Sequence, residues 1–333
     1  MGQVSVSADR AGSTGSAHNT GSAHSEGSKE LDRLYRAAQL YYERGATQEQ
    51  VATELGVSRP SVSRMLGEAR RQGIVEIRVH RPRSGGAEAM EAQLCQALGL
   101  QAAHIAPGDQ SDRLGPGLAG AARSALAEAD LRSGDALLIA SGATPYALAQ
   151  QNLGDFRGVV VAPTVGGQAE PDAWHQTNEV VRAFAVSTGA YPRYLFAPSM
   201  PSPALLEALH DDPGFRQVLD DWAQAKAALV GIGAPAMTRV SIARSVPREH
   251  PSLAASVGDV CLAFFDEAGA EITFPGSERM VRIPSDTLRA VPTRIGAAVG
   301  GAKVPSIIAA ARGGWVTALV TDEETARGVL SRC

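Results

Sequence analysis

Seven short apolar runs, separated by stretches of helical periodicity, dominate the chain from residue 136 onwards. Runs that are continuously apolar, rather than alternating, indicate strands covered on both faces. The helical stretches between them supply the crossovers that parallel strands need. We therefore expect an α/β, doubly wound (Rossmann-like) sheet that binds its ligand at the carboxyl ends of the strands. The runs are Ala136–Ala140, Val159–Ala162, Tyr194–Ala197, Ala228–Ile232, Val260–Phe265, Ile295–Val299 and Val316–Val320.

Length and local composition divide the chain into segments. With 333 residues, the chain suits one small domain followed by one large domain. Residues 1–28 hold almost no large apolar side chains, which predicts a disordered tail. We expect a small helical domain over 29–81 and a large domain over 88–333. The linker between them, over 82–87, is predicted from a stretch of Arg, Pro, Ser and Gly that begins at Arg81.

Charge is distributed unevenly between these segments. The whole chain carries a formal net charge of −4, yet residues 29–83 hold 11 Lys and Arg against 7 Asp and Glu. Residues 84–333 hold 19 Lys and Arg against 26 Asp and Glu, so the large domain is acidic. A basic excess confined to one small domain is what a module that contacts nucleic-acid phosphates requires.

The cysteines and the lack of long apolar segments suggest the compartment. Cys95, Cys261 and Cys333 are far apart in the chain, with neither metal-binding spacing nor an even disulfide set. We expect free thiols in a reducing compartment, and neither a metal nor another cofactor. No apolar run approaches the roughly 18 residues that span a bilayer, and the N-terminus lacks a secretory pattern. We therefore expect a cytoplasmic protein without a membrane contact.

Two helices are predicted at the start of the small domain. Apolar residues recur at three- and four-residue steps from Lys29, which indicates an amphipathic helix that Gly45 ends. Thr47 and Gln50 then match the capping-box pattern, in which each side chain accepts a hydrogen bond from the other residue's backbone N–H. The pattern predicts that a second helix begins at this point.

A third helix and a strand complete the small domain. After the tight turn at Gly56 and Val57, Ser58 is placed to cap a helix that runs to Arg71. The residues of Ile74–Val79 alternate between apolar and polar, which predicts a half-buried strand. Two closely spaced short helices followed by a strand are typical of a winged helix-turn-helix domain.

The third helix carries the candidate DNA-reading side chains. Val62 must face inward to pack this helix against the second, so the residues flanking it point outward. Arg is the usual bidentate reader of guanine, Ser can contact several bases, and arginines further along suit phosphates. The plain alternative is a surface helix with solvated arginines, but cap, turn and charge together favour DNA binding. The candidate base readers are Arg59, Ser61, Ser63 and Arg64, and the candidate phosphate contacts are Arg70 and Arg71.

Two sets of motifs resemble the SorC family of sugar-responsive transcription regulators. The stretch LYRAAQLYYERGATQEQVATELGVSRPSVSRMLGEARRQGIVEIRV is similar to that family's N-terminal module. The later stretches LIASGATPYALAQ, VGGQ, NEVVRAFA, ALVGIGA, VGDVCLAFFD, ERMVRI and RIGAAVGGAKVPSIIAAARGGWVTALVTDEETA resemble its effector domain, in the same order. The resemblance covers the chain from about Leu31 to Leu330.

The resemblance implies a repressor or activator that binds double-stranded operator DNA and a sugar or sugar-phosphate effector. It also implies an effector-domain fold like that of sugar-phosphate isomerases and glucosamine-phosphate deaminases, and a tetrameric assembly. A small DNA-binding module has few contacts by itself, and two half-sites read together gain affinity through linkage. We therefore expect a homodimer or homotetramer on an operator with two-fold symmetry.

The turn after the first apolar run is the strongest local indication of a ligand site. Ser141, Gly142, Ala143 and Thr144 join a predicted strand to a helix, and Pro145 is predicted to begin that helix, because Pro is favoured at the first helical position. The free N–H groups of a helix start, with two hydroxyls, form a cradle for an anion. The alternative is a plain tight turn between strand and helix. Ala143 and Pro145 also depart from the resembling family, which often has a second Gly or Thr here, so a phosphate at this spot is in doubt.

Two further loops should reach the same crevice. Gly166 and Gly167, followed by Gln168, come after the second apolar run, and Lys303 comes after the run that ends at Val299. Parallel topology brings such loops to one edge of the sheet. Lys303 can supply a cation at the start of a helix, although a solvated surface lysine is the ordinary alternative.

Charged residues on other loops are weaker candidates. The resemblance implies that Glu278 and Arg279 border the ligand, where Arg279 would hold an anion and Glu278 would accept sugar hydroxyls. Asp266 is a candidate hydroxyl acceptor, but an Asp that forms a turn is an equally good interpretation. Glu179 and Arg182 share one helix turn with Asn178, which either lines the pocket or makes a subunit contact. The expected ligand is a small hydroxylated molecule, of anionic character because the pocket offers N–H donors and two cations.

An enzyme with a fused DNA-binding module is the competing function. A sugar-phosphate isomerase or deaminase needs a positioned acid and base, and Asp266, Glu278 and Lys303 are the side chains available for it. The chain shows no His or Asp-x-His constellation of that kind, so we identify no catalytic residues. The sequence favours ligand-controlled transcription regulation over turnover.

Overall fold

The computed structural model describes residues 21–75, 85–239 and 245–333. They form two compact units that divide between Pro82 and Arg83, where the linker was expected to begin. The helix that opens the second unit already begins at Gly85, so the end of the expected linker is helical. None of the helices in these ranges is long and apolar enough to cross a bilayer.

Three helices make up the described part of the first unit. Helix α1 spans Gly21–Ala38 and continues into one π-helical turn over Gln39–Glu43, α2 spans Gln48–Leu55, and α3 spans Arg59–Arg71. Helix α1 therefore begins inside the segment predicted to be disordered, and residues 1–20 lie outside the described part. The strand predicted over Ile74–Val79 also falls mostly outside it, and Ile74 and Val75 are not in strand conformation. The wing stays a prediction.

Both predicted helix caps of this unit are present. The backbone N–H of Thr47 donates to Oε1 of Gln50 at 2.8 Å, and the N–H of Gln50 donates to Oγ1 of Thr47 at 3.3 Å. Oγ of Ser58 accepts the N–H of Ser61 at 3.4 Å. Val62 is fully buried against α1 and α2, as its inward-facing prediction required. The helix-turn-helix prediction is confirmed.

Seven parallel strands form the main sheet of the second unit. They are β1 Ala102–Ala106, β2 Ala136–Ile139, β3 Val160–Pro163, β4 Tyr191–Pro192, β5 Ala227–Gly231, β9 Thr293–Ala297 and β10 Ala318–Asp322. Their order across the sheet is β1-β10-β9-β5-β2-β3-β4, and every neighbouring pair is parallel. Alternate residues of one strand bury on opposite faces: Leu138 packs into one apolar core and Leu137 into the other. The predicted doubly wound sheet is therefore present.

Nine helices cover this unit's sheet within the described ranges. The two cores they enclose explain why the strands are apolar without alternation. The helices are α4 Gly85–Leu98, α5 Leu114–Glu128, α6 Ala143–Ala149, α7 Thr177–Thr188, α8 Pro203–Leu209, α9 Pro213–Gln224, α10 Ser285–Ala290, α11 Val304–Arg312 and α12 Glu323–Leu330.

Two strand predictions were wrong. The run Val260–Phe265 is not one parallel strand but a hairpin of β6 (Gly258–Val260) and β7 (Ala263–Phe265), which β8 (Glu271–Ile272) extends into a separate three-stranded sheet. The turn between β6 and β7 is made by two apolar residues, Cys261 and Leu262, with φ of 52° and 63°. The strand predicted over Tyr194–Ala197 lies earlier in the chain, at Tyr191–Pro192, and is β4. Strand β1 was not predicted from the sequence.

Candidate functional site

The exposed side of α3 carries the cations predicted to read DNA. Arg59, Ser63 and Arg64 are exposed, while Ser61 is half-buried. Oγ of Ser61 lies 2.9 Å from Oγ of Ser58, so the hydroxyl of Ser61 takes part in the helix cap. Three of the four proposed base readers are therefore open to solvent, and Ser61 is the least available.

The last turn of α3 carries Arg70 and Arg71, both exposed. Nε of Arg71 donates to Oε2 of Glu68 at 3.0 Å. This hydrogen bond is the main reason why the pKa of Glu68 is lowered. A DNA phosphate that binds Arg71 must therefore compete with the carboxylate of Glu68.

A concave surface beside the start of α3 was not foreseen from the sequence. It has a volume of about 680 Å³, and Tyr41 and Arg59 are among the residues that line it. Thr47, Gln48 and Glu49, at the N-terminus of α2, line it as well. A helix N-terminus next to an arginine suits a backbone phosphate, so this surface extends the candidate DNA-binding face.

Four loops meet at the carboxyl edge of the main sheet in the second unit. They follow the adjacent strands β3, β2, β5 and β9. Nε2 of Gln168, after β3, donates to Oγ of Ser141, after β2, at 2.9 Å. Nζ of Lys303, after β9, donates to the carbonyl of Ile232, after β5, at 2.8 Å. Parallel topology thus gives Ser141, Gln168 and Lys303 positions at the carboxyl edge of the same sheet.

Lys303 lies in a cluster of charges that are buried or half-buried. Loss of solvation, and then the positive charge of Arg239, lower the pKa of Lys303 to about 8, and Asp259 opposes that shift. Arg239 donates to Oδ1 of Asp259, and Oδ2 of the same carboxylate accepts the N–H of Leu262 at 3.2 Å. Lys303 is therefore not the solvated surface lysine of the alternative interpretation.

Gly233 makes room for this cluster. A Cβ atom built on Gly233 would lie 1.7 Å from Oδ1 of Asp259 and 2.9 Å from Nη1 of Arg239. A side chain at this position would displace the carboxylate from the arginine. The second glycine of the ALVGIGA motif, Gly233, is thus explained by the Arg239–Asp259 ion pair beside it.

A second group of polar side chains lies beside Ser141. His175 is 4% exposed, and its Nδ1 lies 2.9 Å from Oε1 of Gln168, which is itself 8% exposed. Burial lowers the pKa of His175, and the carboxylate of Glu170 opposes the shift. Gln168 therefore connects a buried imidazole to the hydroxyl of Ser141.

The predicted anion cradle at the start of α6 is largely occupied by protein groups. The N–H of Gly142 donates to the carbonyl of Trp174 at 2.7 Å, and Ser141 already accepts from Gln168. Helix α6 begins at Ala143 and not, as predicted, at Pro145, so Pro145 lies inside its first turn and removes one further donor. Of the predicted cradle, the N–H groups of Ala143 and Thr144 remain.

The two glycines after β3 serve the backbone rather than the crevice. The N–H of Gly166 donates to the carbonyl of Val281, and that of Gly167 to the carbonyl of Ala197, both at 2.8 Å. A Cβ on Gly166 would meet the Ala197 carbonyl at 2.8 Å. Gly166 and Gly167 therefore hold neighbouring segments together, and the following Gln168 carries the polar group.

Asp266 does not face the crevice. Its Oδ1 accepts the N–H groups of Ala268 and Ala270 at 2.9 and 3.0 Å, which closes the turn between β7 and β8. Gly269 in that turn packs against Ala309 and Gly313, at the far end of α11 from Lys303. The turn-forming interpretation of Asp266 is the one that the geometry favours.

Glu278 and Arg279 lie on a segment that contacts Pro201, which we call the neighbouring wall. Nη1 of Arg279 donates to the carbonyl of Pro201 at 3.1 Å, and its Nε lies 3.6 Å from Oε1 of Glu278. Oε2 of Glu278 accepts the N–H of Gly276 at 3.0 Å. Their described contacts are thus to this wall and not to Ser141, Gln168 or Lys303.

The helix turn that carries Glu179 and Arg182 faces a different surface. Asn178 holds the Leu195 backbone through both its N–H and its carbonyl, while Arg182 donates to Glu179 at 2.9 Å. Glu179 and Arg182 border an open groove of about 330 Å³ that Val186 also lines. This placement favours a surface contact over a role in the crevice.

Arg239, Asp259 and His175 were missed from the sequence. Arg239 and Asp259 lie 20 positions apart, and neither belongs to a recognisable motif with Lys303. The candidate cluster of the crevice therefore comprises Ser141, Gln168, His175, Arg239, Asp259 and Lys303. Within the described ranges, no group of three or more His, Cys, Asp or Glu side chains could hold a metal ion.

Comparison with known proteins gives matches to both units. Residues 83–331 match the family described as "Putative sugar-binding domain", and residues 31–83 match a Crp-like helix-turn-helix domain. The sorbitol operon regulator of Klebsiella pneumoniae is 29% identical over 308 residues, which cover 89% of this chain and 97% of that protein. The deoxyribonucleoside regulator of Bacillus subtilis is 28% identical, covering 89% and 96%.

A solved structure matches over nearly the same length. The crystal structure of the full-length sorbitol operon regulator SorC from Klebsiella pneumoniae aligns with a TM-score of 0.66 and 27% identity. The alignment covers 91% of this chain and 99% of the SorC chain. The similarity therefore extends through both units.

Proposed function

The chain belongs to the SorC family of sugar-binding transcription regulators, and on that premise we propose how its two units act. The helix-turn-helix unit binds double-stranded operator DNA through Arg59, Ser63 and Arg64, with Ser61 in a smaller role. Arg70, Arg71 and the concave surface beside α2 contact the phosphates. A small sugar, polyol or sugar phosphate bound in the second unit changes the operator affinity.

One observation carries the proposed effector site. The loops after four adjacent parallel strands carry Ser141, Gln168, Arg239 and Lys303, and Asp259 of β6 pairs with Arg239. Ligands of open α/β sheets bind at this edge. Hydroxyl, amide, ammonium and carboxylate groups together can donate to and accept from sugar hydroxyls. Gly142, Ala143 and Thr144 border the same edge, whereas Gly166 and Gly167 support it and Glu278 and Arg279 form the next wall.

The experiment measures DNA binding of the full chain with and without effector. A thermal-shift screen of sugars, polyols and their phosphates first finds a ligand that raises the melting temperature. Lys303→Ala and Thr144→Val should then remove the ligand's effect on operator affinity and leave ligand-free DNA binding unchanged. Lys226→Ala, at an exposed lysine, is the matched control. If both crevice variants respond to the ligand normally, the proposed site is wrong.

We propose that the crevice binds its ligand without turnover and that the protein acts in the cytoplasm, where its operator is. The named relatives are regulators, which supports this. The carboxylate of Asp259, which would have to serve as an acid or base, is already held by Arg239 and by the Leu262 N–H. Conversion of fructose 6-phosphate or glucosamine 6-phosphate by the full chain, followed by NMR, would contradict the proposal.

We also propose that the chain works as a homodimer or homotetramer. Two large apolar side chains support this, because Val186 on α7 and Phe196, in the segment after β4, are 75% and 84% exposed. Large exposed apolar patches are typical of protein–protein contact surfaces. Sedimentation of the full chain should show an oligomer, and the double variant Val186→Glu, Phe196→Glu should sediment as a smaller assembly. A monomeric wild-type chain at micromolar concentration would contradict the proposal.

A further inference from the structure

The charges around the effector crevice do not leave a net positive site. Among the described residues its cations are Arg239 and Lys303, together with Arg248, whose Nη1 donates to the carbonyl of Arg239 at 3.4 Å; Asp259 is the direct counter-charge of Arg239 and Lys303. Glu170 and Asp172 add two carboxylates on the side of His175, whose lowered pKa favours the neutral ring. Among the described residues, three cations are thus accompanied by three carboxylates. A phosphate ester, with a charge of about −1.5 to −2 near neutral pH, would enter a crevice that already contains its own anions.

The backbone donors that bind phosphate at helix starts are also depleted. Helix α6 has only seven residues, Pro145 lies in its first turn, and the N–H of Gly142 is used by Trp174. Helix α11 has Pro305 in its first turn, and the N–H of Gly300 before it donates to Oγ1 of Thr325 at 2.7 Å. Both helices that open on the crevice thus lack part of the N–H array that a phosphate needs.

The groups that remain alternate between donors and acceptors. Lys303 donates, Asp259 accepts, and Ser141 and Gln168 can each do both. Vicinal hydroxyls, each a donor and an acceptor, match such a set without adding charge. We propose that the effector is an uncharged polyhydroxyl compound, a free sugar or polyol, and that Asp259 occupies the position in which a phosphate would otherwise neutralise Arg239 and Lys303. This inference rests on the proposed function of the crevice and names its ligand class.

The first experiment uses inorganic phosphate as the probe. Thermal unfolding of the full chain is measured in phosphate and in chloride at equal ionic strength. The wild-type chain should show no phosphate-specific rise in melting temperature. Asp259→Asn removes the internal anion and should gain such a rise, because Arg239 and Lys303 are then uncompensated. Asp286→Asn, at an exposed carboxylate on α10, is the matched control and should behave as wild type.

The outcome of this experiment decides the charge argument. A phosphate-specific stabilisation of the wild-type chain equal to that of Asp259→Asn would overturn the proposal. If Asp259→Asn does not fold, the second experiment, which needs only the wild-type chain, decides the question.

The second experiment compares matched ligand pairs on the wild-type chain. D-Glucitol is paired with D-glucitol 6-phosphate and D-ribose with D-ribose 5-phosphate, with affinity measured by calorimetry and operator binding measured in parallel. In a pair that binds, the uncharged member should bind at least about tenfold more tightly, a difference of about 1.4 kcal/mol. Tighter binding of the phosphorylated member would overturn the proposal.

The two experiments separate this inference from the proposed function. If Asp259→Asn gains phosphate binding but no compound of a broad polyol and sugar panel alters operator affinity, the charge inference stands and the proposed effector control fails. If phosphorylated compounds alone alter operator affinity, effector control stands and the uncharged class is wrong.

Discussion

The DNA-binding face and the effector crevice use cations in opposite ways. On α3, Arg59, Arg64 and Arg70 are exposed to water on one continuous helix. In the crevice, Lys303 is desolvated and Arg239 is tied to a carboxylate from a distant segment. A solvated cation costs the fold little before its partner arrives, whereas a desolvated one must be compensated within the fold. The first arrangement can be recognised from residues that are neighbours in the sequence. The second can be recognised only from the tertiary structure.

The largest expected effect is on the pH dependence of the unfolding free energy, to which Lys303 contributes. Its pKa falls from the ordinary 10.5 to about 8 in the folded chain, so between these pH values the unfolded chain binds more protons. The contribution of Lys303 to the unfolding free energy therefore increases as the pH rises from about 8 to about 10.5. A shift of this size corresponds to about 3 kcal/mol. Urea unfolding of wild type and Lys303→Met, followed by tryptophan fluorescence at both pH values, measures it.

The control for this titration is an exposed lysine. Lys226→Met, which changes an exposed side chain, should differ from wild type by the same amount at both pH values. Trp174, Trp222 and Trp315 all lie in the second unit, so their fluorescence reports on the unit that contains Lys303. Parallel pH curves for wild type and Lys303→Met would show that Lys303 is solvated after all.

The second prediction tests the solvated side of the comparison. Arg59→Ala and Arg64→Ala should each weaken binding to the specific operator by about 1–3 kcal/mol, because each removes a contact to a base edge. Binding to random DNA should fall much less, and the urea midpoint should not change, since both side chains are exposed. Fluorescence anisotropy with operator and scrambled duplexes measures the affinities. Equal losses on both duplexes would reassign these arginines to phosphates.

The same contrast explains how much of the fold could be predicted. The apolar runs located β2, β3, β5, β9 and β10 within about two residues, because buried parallel strands have a local pattern. The run Val260–Phe265 misled because its turn residues, Cys261 and Leu262, are apolar. Two-residue hairpin turns with positive φ usually contain Gly, Asn or Asp, which would have indicated the turn.

The candidate crevice was predictable only in part. Ser141 and Lys303 directly follow or adjoin predicted strands, so topology alone assigned them to one edge. Arg239 lies in a stretch between strands, and Asp259 lies within the hairpin that was interpreted as a single strand. Their pairing depends on how two distant segments pack, which no local pattern records. By contrast, the caps of α2 and α3 depend on residues three positions apart, and both were predicted.

The third prediction concerns the stability of the first unit. Thr47→Ala removes one side of the capping box and should lower the helical stability of this unit by about 1 kcal/mol. Thr47→Ser keeps the hydroxyl and should stay close to wild type. Amide hydrogen exchange over α2 measures the effect, while the tryptophan fluorescence of the second unit should not respond. Unchanged exchange in Thr47→Ala would mean that tertiary packing alone fixes the start of α2.

The smallest expected effect distinguishes a phosphate contact from a base contact on the same helix. Arg71→Ala should weaken specific and random DNA alike by a few fold, and should reduce the slope of log affinity against log salt by about 0.9 for the one phosphate lost. In the free chain Arg71 is hydrogen-bonded to Glu68, and this interaction within the helix competes with binding of Arg71 to a phosphate. Glu68→Gln should therefore act in the opposite direction, strengthening binding to any duplex, because the arginine is released and a like charge near the phosphates is removed. If Arg71→Ala discriminated between operator and random DNA, the base-reading surface would extend to the last turn of α3.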